Sequence, residues 1–411
     1  MLPSKRSKKS RNFLIKMSRL HGTHTADKKP MNLRTSVMLL LSSIFVVMHI
    51  NGLIHVWPNF KRICNSLMVE PIGFQLLTRM TMRFVNNDEQ LVSEIHDTIE
   101  KFYKSEEKEP EKRKILDFSV KIIEILSKSY MLLNFICFMI PPMSALIISW
   151  ISKEFFMLVP LWLPFTDPNE IYGFAINTSA MFFFCVMFYE LLISQDLFFI
   201  HYTLQVIPMG DILIHKMRQL GEKLSASRKS VKILANTQNF TIEELIKTRQ
   251  KLNILENSIK QHEKDIINLI KSFNSYNSFI SLIHPYMHYT KFVEISTNAV
   301  GIGLAILVAN LFSISIGISV ILIYTLQVLM SCIQGTVISH QNQKILDETW
   351  NFPWYKMSIP MQKVWLQFMH QCQSSNELEI VMIGVLNMEC FTNVMNGAYS
   401  YFMYILNFVK N

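Results

Sequence analysis

Residues 66–85, SLMVEPIGFQLLTRMTMRFV, decide the fold of this chain. They are long enough to cross the roughly 30 Å hydrocarbon core of a bilayer as a helix. They also carry Glu70, Arg79 and Arg83, which hydropathy alone holds against a span. Their surroundings give an independent test. Apolar windows stand near 35–56, 129–151, 171–206, 279–309, 311–339 and 378–409. Ahead of the first window come Lys5, Arg6, Lys8, Lys9, Arg11, Lys16, Arg19, Lys28, Lys29 and Arg34. The stretch 207–270 is basic too, with Lys216, Arg218, Lys223, Arg228, Lys229, Lys232, Lys247, Arg249, Lys251, Lys260 and Lys264. Lys/Arg-rich segments stay on the cytoplasmic side. Both can do so only if an even number of spans separates them. The windows at 35–56, 129–151 and 171–206 make three, and 66–85 makes four. The charges therefore predict an all-α, seven-transmembrane helical bundle with a cytoplasmic N-terminus and an extracellular C-terminus.

Composition agrees. Half of the 411 residues are hydrophobic and 17% are charged, against about 25% charged in soluble domains. The net charge of +9 is gathered beside the first span, which reads as topology and not as nucleic-acid binding. No small-residue cleavage site follows that span, so it reads as a retained signal anchor. The six cysteines form no CxxC pair and mostly sit in apolar segments, where a free thiol acts as a small hydrophobe. Pro141-Pro142 predict a kink in the third span. VPLWLPF (159–165) reads as an interfacial outer loop. The fourth span, at about 54 Å, is too long for a bilayer alone, so its end with Asp196 and His201 is expected to project into the cytoplasm. Leu245, Leu252, Leu255 and Ile259 give the following loop a helical period, predicting a cytoplasmic helical extension. The organisation expected is 1–34 basic cytoplasmic N-terminus, 35–206 spans 1 to 4, 207–275 helical loop, 276–340 spans 5 and 6, and 341–411 an anchor segment with span 7.

No enzyme signature is present: the P-loop, GxGxxG, HExxH and GxSxG patterns are absent, and GIG (301–303) is a lone pair of glycines. No cofactor is implied. His284 and His288 have chelating spacing but no third ligand, so no metal site is expected. Glu190 and Glu294 lie inside spans, with no matching set of intramembrane Lys or Arg and no broken-helix repeat; a pairing role is favoured over an ion pathway. NTS (177–179) and NFT (239–241) match the glycosylation sequon, the second on the cytoplasmic side.

The last helix carries the sharpest pattern. At 100° per residue, Asn393, Asn396, Ser400, Tyr404, Asn407 and Asn411 fall within about 60° of one line. Phe402, Ile405 and Val409 lie opposite. A polar stripe on an apolar helix serves either helix–helix packing or a pore wall built by several copies around an axis.

AYSYF (398–402), with Phe391 upstream, resembles the terminal signature of insect odorant receptors, carried here by Tyr399, Ser400, Tyr401 and Phe402. The length, the spans, the Trp/Pro-rich second outer loop and the long loop between spans 4 and 5 are similar across the whole chain. Gustatory receptors usually end in a Thr-Tyr run leading to Gln-Phe, which fits less well. Asp-Arg-Tyr and Asn-Pro-x-x-Tyr are absent, so no G protein is expected. The resemblance implies a subunit of a ligand-gated, non-selective cation channel. It would bind a small volatile odorant, sit among membrane lipid as a multi-pass plasma-membrane protein of olfactory neuron dendrites, and form a heterotetramer with a co-receptor. YFM (401–403) matches the co-receptor ending TYFMVLVQL, but the sequence then diverges, as expected of a ligand-tuned subunit. The match places Tyr404 and Phe408 at gate positions and Asn407 at the Gln, so that Asn396, Ser400, Tyr404, Asn407 and Phe408 would line the pore. The resemblance also implies an odorant pocket in the outer half of spans 2, 3, 4 and 6. By position, Phe74, Ser149, Trp150, Phe183, Met187, Ile321 and Tyr324 are its candidates. A gustatory-type channel is the nearer alternative, and a secondary transporter the more distant one.

Overall fold

The computed structural model describes residues 2–20, 33–57, 60–85, 88–153, 155–159, 161–163, 166–167, 169–235, 242–311, 314–374 and 377–410. In chain order the helices are α1 (Pro3–Leu20), α2 (Leu33–Val56), α3 (Phe60–Leu67), α4 (Glu70–Val85), α5 (Asp88–Glu106) and α6 (Pro110–Ser152). Then come α7 (Ile171–Thr203), α8 (Val206–Ala235), α9 (Ile242–Leu311), α10 (Ile314–Asn351), α11 (Ile359–Gln373) and α12 (Met388–Lys410). The strands β1 (Glu379–Ile380) and β2 (Gly384–Val385) pair antiparallel between α11 and α12. Among the described residues, α2, α6, α7, α9 and α10 are long and apolar enough to cross a membrane. The charged α4 and the polar-striped α12 complete the seven.

The stretch 66–85 is not one helix. Its first residues belong to the end of α3, and a turn at Met68–Val69 separates that helix from α4. Pro71 is the cause. It has no N–H to continue a helix from α3, but is well placed in the first turn of a new one. Conversely, the loop helix expected before span 5 is continuous with it. α9 runs 70 residues, roughly 105 Å, so the boundary expected near 275 falls inside one rod. α6 likewise runs unbroken through Pro141 and Pro142, both buried against neighbouring helices.

The basic N-terminus is built into the fold. α1 packs on α5, α6 and α7. Arg6 pairs with Glu124 at 3.0 Å, and Arg11 pairs with Glu100 at 3.1 Å while donating to the His96 carbonyl. Leu14 is buried on the same face. Near the end of α7, Asp196 and His201 are not free in solvent but buried, 3% and 1% exposed. At the other end of the bundle, residues 161–163 fold back onto α2. Trp162 stacks on His55 at 3.9 Å, and its carbonyl accepts from Asn51.

Candidate functional site

Three features of the bundle are candidates for function. The first is a buried set of four charges. Arg79 on α4 forms an ion pair with Asp196 of α7 at 2.9 Å and donates to Glu294 of α9 at 2.8 Å and to the Leu192 carbonyl at 3.2 Å. Lys291, one turn before Glu294, donates to it at 2.8 Å and to Ser331 of α10 at 2.9 Å. Ser331 in turn donates to Glu294, and Tyr130 of α6 donates to Asp196 at 3.1 Å. Two cations meet two anions, so the cluster is neutral and joins five spans. Burying such charges is tolerable only because each is paired and hydrogen-bonded. Glu294 thus has the pairing role favoured from the sequence, and Arg79 and Lys291 supply the buried cations that the sequence reading did not find. By hydropathy Arg79 only counts against a span, and Lys291, three residues before Glu294, is the local signal of the pairing.

The second feature is a pair of cavities around His49. One, of about 740 Å³, lies between α2, α4 and α9, with Phe188 of α7 at its floor. Its walls are apolar: Phe45, Ile50, Leu53, Phe74, Leu77 and Val300. Several of these are exposed in the single chain, so the mouth opens on the side of the bundle. The other, of about 60 Å³, lies deeper, between α2, α4, α6 and α7. Phe45, His49, Glu70, Gly73 and Phe188 line both. His49 Nε2 bonds the Glu70 carboxylate and lies 2.9 Å from Ser66 Oγ. The imidazole stacks on Phe45 at 5.9 Å, and its buried Nδ1 has no partner. Nothing in the sequence reading singled out His49; a histidine in the middle of span 1 was the available signal.

The third feature is the outward face of α12. Asn396, Ser400, Tyr404 and Asn407 are all exposed, Tyr404 by 73%. Ala398 and Phe402, on the opposite side, are buried at 1% and 5%. Close packing of α9 against α12 and α10 explains the GIG pair. A Cβ on Gly303 would lie 2.6 Å from the Tyr401 ring, and one on Gly301 would lie 2.5 Å from the Tyr324 ring. Both glycines on α9 thus admit tyrosines, one from α12 and one from α10.

The sequence-chosen ligand candidates are scattered. Phe74 lines the larger cavity. Tyr324 is fully buried beside it, donating to the Met68 carbonyl at 2.7 Å. Met187 is core and Ile321 half-buried. Ser149 holds the chain after α6 by donating to the Phe156 carbonyl at 2.7 Å. Trp150 and Phe183 stand 84% and 56% exposed on the outer surface. Of the family-motif residues, Tyr399 and Tyr401 are exposed. The side chains of Phe408, Val409 and Arg83, with Asn411 and the 239–241 sequon, lie outside the described residues. Asn177 is fully buried, its amide bonded to Leu163 N, Thr166 Oγ1 and the Gly173 carbonyl, so that sequon is not presented at the surface. His288 Nδ1 donates to the Glu379 carbonyl at 2.8 Å, which ties α9 to β1. No group of metal ligands forms among the described residues.

Comparison with known proteins agrees with this geometry. No curated protein matches the chain. Among solved structures, the insect olfactory receptor OR5 from Machilis hrabei superposes with a TM-score of 0.67 at 10% identity, over 97% of this chain and 99% of that one. The same receptor in complex with eugenol gives 0.63 at 11% identity, over 98% and 99%. The likeness is one of fold. The family model described as 7tm Odorant receptor matches residues 59–399, which is most of the chain and includes Arg79, Asp196, Lys291, Glu294 and the start of the terminal motif; this chain belongs to the 7tm odorant receptor family.

Proposed function

We propose that this receptor is the ligand-tuned subunit of an odorant-gated, non-selective cation channel of the plasma membrane, assembled with a co-receptor as a heterotetramer. Its N-terminus and the polar end of the bundle, with α1, α5 and α11, face the cytoplasm. The observation that carries the reading is the orientation of α12. An apolar helix turns its Asn/Ser/Tyr stripe away from its own bundle and buries Ala398 and Phe402 against it. A stripe made for packing within the chain would face inward. Facing outward, it suits water at an axis shared by several subunits, with Tyr404 and Phe408 as the bulky positions. The odorant site is the cavity pair at His49, bordered by Phe74 and backed by Tyr324. The solved relative in complex with eugenol supports a small organic ligand.

Gating follows if the odorant binds the open arrangement more tightly than the closed one. Filling the cavity displaces α4 and α9, and α9 carries α12 through the Gly303–Tyr401 seat. The test is an odorant panel on cells expressing the chain with and without the olfactory co-receptor. Cation current only with both partners supports the proposal. Current from the chain alone favours the gustatory-type alternative, and substrate accumulation driven by an ion gradient favours a transporter.

A further inference from the structure

The His49–Glu70 pair stands in the wall of both cavities, and its chemistry restricts what can bind there. The surrounding surface is almost wholly apolar, so a ligand gains affinity chiefly by burying carbon. The pair supplies the polar contact. An ionised carboxylate only accepts hydrogen bonds. Glu70 takes the His49 Nε2–H, and in that tautomer Nδ1 is the acceptor of the ring. That Nδ1 is buried and unpartnered, a costly condition unless something completes it. Glu70 itself is about half exposed, at 47%, and lines both cavities. The Ser66 hydroxyl lies on the Nε2 side of the ring, 2.9 Å away, and does not reach Nδ1, so Nδ1 and the exposed part of Glu70 are left for a donor from outside.

We propose that this site selects small apolar molecules bearing one hydrogen-bond donor, an alcohol, phenol or amine, over hydrocarbons, ethers, aldehydes and esters of the same skeleton. The donor completes His49 Nδ1 or Glu70, and the carbon body fills the 740 Å³ cavity against Phe45, Phe74 and Val300. The open flank between α2, α4 and α9 admits such molecules sideways from the lipid, where they partition. This inference rests on the odorant-channel reading and specifies its ligand class.

The test uses the full chain with the co-receptor and matched probes: the primary alcohols 1-hexanol to 1-decanol, their methyl ethers and the corresponding alkanals. The expected result is a half-maximal concentration at least about tenfold lower for alcohols than for ethers of equal length, as for one buried hydrogen bond. His49→Phe keeps the ring beside Phe45 and removes Nδ1, and is expected to erase that gap while leaving ether responses in place. Glu70→Gln, which offers a donor of its own, is expected to narrow it. Because the wild-type comparison needs no variant, a misfolded mutant does not shield the claim. Equal or better activation by ethers or alkanals overturns the donor preference and leaves the channel reading standing. So does a gap that survives in surface-expressed His49→Phe. Silence to all three series, with no current from a wider odorant panel, overturns both.

Discussion

Replacing Arg79 with Met removes the cation that holds Asp196 and Glu294 together at 2.9 and 2.8 Å. Glu294 keeps Lys291 and Ser331, but Asp196 is left with only the Tyr130 hydroxyl at 3.1 Å. A buried carboxylate stripped of its partner costs about 3–5 kcal/mol. For a chain of this size that is a fall of roughly 3–6 °C in Tm. The loss belongs to the orphaned charge and not to missing volume, since Met fills much of the Arg stem. Adding Asp196→Asn to Arg79→Met leaves Lys291 and Glu294 neutral together, so the double variant is expected to recover at least half of the loss. The assay is heat challenge of the detergent-solubilised protein followed by fluorescence-detected size exclusion. If Arg79→Met stays within ~2 °C of wild type, or the double variant simply adds the two single losses, the cluster is not the charge-balanced tie described here.

Two further outcomes follow. Glu100 is held down to about 2 from 4.5 by Lys104 and Arg11, against some desolvation. Its folded pKa is depressed, so its contribution is fully present above about pH 4.5 and lost as pH falls through about 2; partial exposure keeps its size to ~1 kcal/mol or less. The hydrogen-exchange protection factors of residues 3–20, taken relative to the intrinsic rate at each pH, are therefore expected to be flat from pH 7 to 5 in wild type and lower in Glu100→Gln throughout, and a wild-type fall in protection across that window counts against the clamp. Gly303→Val sets a Cβ 2.6 Å from the Tyr401 ring and is expected to cost about 1–3 kcal/mol by overpacking and to reduce current. Tyr401→Ala is expected to restore much of both, read by Tm and odorant-evoked current, and no restoration means the two residues do not share a seat.

Hydropathy and loop charge were enough to read seven spans, because bilayer thickness and the Lys/Arg bias act on local sequence. The parity argument rescued the segment holding Arg79, although its charges find their partners on α7 and α9, more than a hundred residues away. Such pairings are tertiary facts, and Lys291 beside Glu294 was the only local hint of them. The α12 stripe was legible because a single helix writes its own face at 3.6 residues per turn. The cavity was not. Phe74 could be chosen by position, but Trp150 and Phe183 point to the outer surface, since an aromatic residue on a lipid-facing helix reads the same whether it faces lipid or a pocket. The helix boundary expected at 66 failed because Pro71 starts α4 anew, whereas Pro141 and Pro142 sit buried inside α6 and Pro285 sits exposed inside α9.

The account's central claim is that α12 turns one face to a water-filled pore and the other to its own bundle. It is tested most directly by cysteine accessibility in odorant-activated channels formed with the co-receptor. Ser400→Cys, Tyr404→Cys, Ala398→Cys and Phe402→Cys are each exposed to a charged methanethiosulfonate reagent from the outside. The native cysteines are buried or half-buried, so wild-type current is the control. The account predicts lasting loss or change of current at 400 and 404, and none at 398 and 402. Modification at the buried pair with sparing of the exposed pair, or no effect at any of the four while odorant current flows, would contradict it.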